Sequence, residues 1–197
     1  MKKKMWKQLT AAASVAVMLG TACAGTAFAA EDNGMVRSYL TGKLVPESIG
    51  RTKAISVMLN NIQAALPQSG IANAEVVYEA PVEGGITRLM GIFEDYQDVE
   101  RIGSVRSCRN YYVYFAREFN TYYLHFGQAV YALDLLNLDS TLNLSGLDSI
   151  GETVYYRSDD FPAPHNVFTD YERIWKGIDE MNYPTEYSDE YQSTNGH

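Results

Sequence analysis

Cysteine, histidine and positive charge are all scarce in this chain. Its 197 residues hold two cysteines and three histidines, and 16 Lys and Arg stand against 24 Asp and Glu. Two cysteines, Cys23 and Cys108, exclude a disulfide framework. No two His or Cys residues have ligand spacing, so neither a metal nor another cofactor is expected. Without a basic face the chain is a poor partner for nucleic acid. The fold must therefore rest on its apolar core, and what positive charge exists must act locally.

The first thirty residues read as an address. Lys2, Lys3, Lys4 and Lys7 precede an apolar stretch from Leu9 to Gly20, and Ala27-Phe28-Ala29 has the small-x-small pattern of a signal peptidase site. Cleavage after Ala29 is the first reading, giving a signal peptide over 1–29 and a secreted chain. A lipoprotein site at Ala22-Cys23 is the alternative, with Gly20 where that motif usually has Leu, and an uncleaved membrane anchor is the third. Contact with a membrane is thus expected only through the leader or a lipid on Cys23. Loss of the leader removes four lysines, leaving 12 basic against 24 acidic residues and a net charge of −12.

Residues 30–50 are polar and read as a tether, and residues 51–185 read as one domain. Strands are predicted at 54–59, 75–80, 86–93, 101–105, 121–126 and around Val154-Tyr155-Tyr156. The acidic segment 94–98 reads as a hairpin-like turn between two of them. Tyr111, Tyr112, Phe115, Ala116 and Phe119 recur at helical spacing, with Ser107 as the expected N-cap. Further helices are predicted at 129–136 and 170–181, and residues 186–197 read as a polar tail. Helices interleaved with strands point to an α/β or α+β fold, a mixed sheet flanked by helices. The fifteen tyrosines fall mostly in apolar runs and are assigned to the core rather than to carbohydrate stacking.

Chemistry concentrates around Glu83-Gly84-Gly85-Ile86-Thr87-Arg88 and Arg106-Ser107-Cys108-Arg109. Arg106 and Arg109 lie three apart across an expected strand–helix junction, and Arg88 lies on the neighbouring strand, with Glu83 or Glu79 placed to pair with it. Three guanidinium groups beside a helix start suit phosphate, pyrophosphate or carboxylate. A structural ion-pair network with the same glutamates is the competing reading. His125, at a strand end, and His165, in a proline-braced segment, are candidates for acid–base or ligand contacts. Flanking arginines could activate Cys108 as a nucleophile, although a small buried residue is the simpler assignment.

Asn60 to Gln68, Tyr78-Glu79-Ala80, Val82 to Arg88, Gly103 to Arg109, His125-Phe126-Gly127 and Ala163-Pro164-His165-Asn166 together resemble the YerB-like bacterial lipoprotein family. The likeness spans about Arg51 to Asn166. It implies an extracytoplasmic domain of unestablished function, secreted or membrane-anchored, and here the N-terminal domain only, since that family carries a second C-terminal domain. Ser104 stands where the family commonly has Pro, and Cys108 where it has a small apolar residue, which weakens a role for the thiol. The layout is also similar to LytR–CpsA–Psr phosphotransferases, except that Arg88 stands where those enzymes place an acidic residue. The functions expected are binding of an anionic envelope ligand, phosphoryl transfer, or a structural scaffold.

Overall fold

The computed structural model describes residues 34–195. In chain order it contains β1 (Met35–Arg37), β2 (Leu44–Pro46), α1 (Glu47–Gly50), β3 (Ile55–Asn60), β4 (Val76–Pro81), β5 (Thr87–Phe93), β6 (Ile102–Gly103) and α2 (Asn110–Glu118). Then follow β7 (Tyr122–His125), α3 (Leu133–Leu136), β8 (Leu142–Ser145), α4 (Gly151–Val154), β9 (Tyr156–Arg157), β10 (Val167–Thr169), α5 (Tyr171–Glu180) and α6 (Asp189–Asn195). The expected signal peptide and its rival cysteine site lie outside the described residues. Among the described residues no helix is long and apolar enough to cross a membrane.

Every residue of β3 is buried, as a strand covered on both faces requires. It sits at the centre of a five-stranded sheet of order β4-β5-β3-β7-β8. The β4–β5 and β5–β3 pairs are antiparallel, and β3, β7 and β8 run parallel. Side chains alternate between two cores. Ile55, Val57 and Leu59 join Ile174 and Ile178 of α5 on one face, while Ala54 and Met58 join Tyr112, Val113 and Ala116 of α2 on the other. The domain is therefore a mixed α/β layer structure. A second sheet, β6-β10-β9, is antiparallel throughout.

One departure from regular pairing positions the site. β7 accompanies only the first half of β3, from Ile55 to Val57. Beyond that point the chain from Ser104 to Cys108 enters the gap between the two strands. Asn60 N–H donates to Ser104 O at 3.0 Å and Arg106 N–H to Met58 O at 2.9 Å. On the other side Phe126 N–H donates to Arg106 O at 3.1 Å and Cys108 N–H to Gly127 O at 2.8 Å. The segment is thus hydrogen-bonded on both edges at the carboxyl end of parallel strands, where ligands commonly bind in α/β sheets.

Several local expectations are corrected. The segment 94–98 does not close a hairpin, because β5 lies in the large sheet and β6 pairs with β10. The polar tether is structured from Met35 onward. β1 and β2 pair, and α1 packs so closely beneath them that a Cβ on Gly50 would lie 2.7 Å from Val45 and 2.8 Å from Val36. Val154 belongs to a helix, and the strand that follows is only Tyr156–Arg157. In the tail, Tyr187 is buried and α6 follows it; Tyr39 meets Tyr187 edge-on at 5.3 Å. Tyrosines at both ends of the domain supply an apolar closure that the polar composition of these segments conceals.

Candidate functional site

Arg88 follows the first residue of β5, and strand alternation turns it to the α2 side together with Met90. It is only 5% exposed. Its Nη1 donates to Ser107 O at 2.5 Å, and among the described residues it forms no ion pair. Burial, then the charges of Arg109 and Arg106, hold its pKa below the ordinary arginine value, although the group stays protonated. Arg106 projects from the inserted segment. Its Nη1 donates to Pro164 O at 3.1 Å, and its Nε is buried without a partner. Burial and the neighbouring Arg109 lower its pKa too.

Arg109 is different. Its Nε lies 2.8 and 2.9 Å from the two carboxylate oxygens of Glu83, and Nη2 completes a bidentate pair. The hydrogen bond from Arg109 is the largest cause holding the Glu83 pKa down, at about 2. The expected pairing of Arg88 with Glu83 or Glu79 is not formed. Glu79 instead accepts from Asn61 at 3.1 Å and Thr87 at 2.5 Å. Of the three guanidinium groups, only that of Arg109 is paired with a carboxylate among the described residues.

Ser107 is not the N-cap of α2. The helix begins at Asn110, two residues later than a Ser107 cap would start it, because Arg106 to Cys108 are held extended by the sheet. The Ser107 hydroxyl donates to Phe126 O at 3.2 Å. Cys108 is fully buried, and burial pushes its thiol up to about 11, outweighing the pull of Arg109 and Arg88. The activated-nucleophile reading fails for that reason.

The histidines separate. His165 is half-buried, and Asn60 Nδ2 donates to its Nδ1 at 2.8 Å, so the ring proton sits on Nε2. Burial and then Arg106 lower its pKa, keeping it neutral beside that cation. His125 is completely buried. Its Nδ1 lies 2.8 Å from Gly127 O and its Nε2 2.7 Å from Asn143 Oδ1, leaving no free nitrogen. Burial lowers its pKa as well. His125 therefore fixes the turn after β7 rather than meeting a ligand.

Asn60 escaped the sequence reading as a site residue. Its signal was an asparagine pair ending a short, mostly apolar run. Tyr131 was also missed; its hydroxyl donates to Glu83 Oε1 at 3.2 Å. Among the described residues no group of three His, Cys, Asp or Glu could hold a metal ion.

The fold and cluster together define a mixed α/β domain with guanidinium groups gathered at the carboxyl ends of its parallel strands. The family described as "Protein of unknown function (DUF3048) N-terminal domain" matches residues 40–184, and the chain belongs to that family. It is 34% identical over 148 residues to "Putative lipoprotein YerB" of Bacillus subtilis (strain 168), covering 75% of this chain and 44% of that protein. The crystal structure of YerB protein from Bacillus subtilis superposes with a TM-score of 0.71 at 31% identity, over 78% of this chain and 52% of that one. The chain thus spans about half the length of these relatives.

Proposed function

We propose that this protein is an extracytoplasmic envelope protein that binds an anionic ligand, one carrying phosphate or pyrophosphate, through Arg88, Arg106 and Arg109. One observation carries the reading. The ion pairs among the described residues use Arg101, Arg109 and Arg173, so Arg88 and Arg106 go unpaired although acids outnumber bases by 24 to 16. Desolvated guanidinium groups without a counter-ion favour an anion from outside, and their planar donors suit phosphoryl oxygens. His165 stands near Arg106 as a neutral group. The Lys-rich leader and the lipoprotein name of the relative support a location beyond the cytoplasmic membrane.

Calorimetric titration with pyrophosphate at low salt tests this. Saturable binding that weakens at least tenfold in Arg106→Ala is expected; no heat of binding in the wild-type protein would sink the idea. Phosphoryl transfer is the second reading, favoured only by His165 standing next to Arg106. Release of phosphate from a diphosphate ester that disappears in His165→Ala would establish it, and a flat time course would leave binding without turnover.

A further inference from the structure

Glu83 occupies the position a ligand's anionic group would take. Its carboxylate is seated in the Nε/Nη2 fork of Arg109, the bidentate geometry by which guanidinium recognises carboxylate and phosphate. The two partners are unequal: the Arg109 side chain is 14% exposed and that of Glu83 60%. A sunken cation is thus covered by an anion from the surface. The covering group sits on an open turn. Glu83 lies in the β4–β5 loop, residues 82–86, closed by Val82 N–H to Ile86 O at 2.8 Å. Gly84 and Gly85 follow it with φ of +80° and +73°, and nothing lies within 4 Å of either Cβ position. Tyr131, its other partner, is itself exposed.

Resting on the reading of the arginine cluster as an anion site, we propose that Glu83 is an internal competitor that sets a charge threshold for the ligand. A monovalent anion offers Arg109 no more than the tethered carboxylate already does. A ligand with two or more negative charges, such as a diphosphate, displaces Glu83 and engages Arg109 together with Arg106 and Arg88. Displacing Glu83 gives up its bidentate pair, a cost that only a ligand of higher charge recovers. Glu83 is thereby a specificity-determining residue, selecting polyvalent phosphorylated ligands over simple carboxylates.

Calorimetry with pyrophosphate and with acetate, on the wild-type chain, Glu83→Gln and the Glu83→Gln/Arg109→Ala double variant, provides the test. Glu83→Gln should bind pyrophosphate at least tenfold more tightly and bind acetate measurably, and the double variant should lose both gains. Hydrogen exchange on the wild-type chain should show residues 82–87 exchanging faster once pyrophosphate is added. Wild-type binding with no gain in Glu83→Gln, or unchanged exchange in the loop, would overturn the competitor while leaving the anion site standing. No binding by any variant would remove the anion site itself, and the competitor with it.

Discussion

The Nη1 group of Arg88 donates to the carbonyl oxygen of Ser107 at 2.5 Å, nineteen residues along the chain. The bond ties the second residue of β5 to the segment carrying the other two arginines. Its cost is a desolvated cation without a carboxylate. Replacing Arg88 with Met removes both the cation and the bond, terms of opposite sign. Arg88→Met should fold, with unfolding free energy changed by only about 1–2 kcal/mol in urea titration. Pyrophosphate binding should be lost in the same variant. Retained binding would remove Arg88 from the site.

Tyr112 braces the same strand from α2. Its hydroxyl donates to Arg88 O and accepts from Ala80 N–H at 2.9 Å, so one oxygen satisfies backbone groups on β5 and β4. Tyr112→Phe leaves the ring packed but orphans both groups. A loss of about 1–3 kcal/mol is expected, read as a lower urea midpoint at unchanged m-value.

His125 predicts a pH dependence. Burial lowers its pKa from the ordinary 6.5, so below that pH the unfolded chain takes up a proton that the folded chain refuses. Its contribution is therefore intact above pH 6.5 and is lost as pH falls through the folded value. His165, also lowered, acts in the same direction. Stability should decline between pH 7 and 5, and His125→Gln should flatten that decline while lowering stability at pH 7. An equally steep slope in the variant would refute the assignment.

Cys108 should be inert. With its thiol pushed up to about 11 and no exposed surface, it is protonated and shielded at neutral pH. Iodoacetamide treatment followed by peptide mapping should leave Cys108 unmodified in the native protein and modified in 6 M guanidinium. Rapid native labelling would reopen the nucleophile reading.

Sequence patterns revealed elements more readily than their partners. β3, β4, β5, β7 and α5 fall where apolar runs and helical spacing put them, because each is long enough for its period to show. Asp170 even caps α5, accepting from Arg173 N–H at 3.0 Å. β6 and β9, at two residues each, carry no period at all. Arg106-Ser107-Cys108 looked like a strand passing into a helix, since local pattern cannot show that a segment is pinned between two distant strands. The arginines were legible as a cluster. Which of them takes Glu83 was not: Arg88 is nearer to it in sequence, yet the fold brings Glu83 to Arg109, 26 residues away. His125 and His165 looked alike for the same reason, and tertiary burial alone distinguishes them.

The insertion of Ser104–Cys108 between β3 and β7 has a thermodynamic consequence for recognition. A binding segment held as a free loop must be immobilised when its ligand arrives, and that ordering subtracts from affinity. Here the backbone under Arg106 is bonded to Met58 on one edge and to Phe126 on the other before any ligand is present. Contact energy at its guanidinium therefore passes into affinity with little spent on freezing the main chain. The amides of Asn60, Arg106 and Phe126 should accordingly exchange with solvent only through global unfolding.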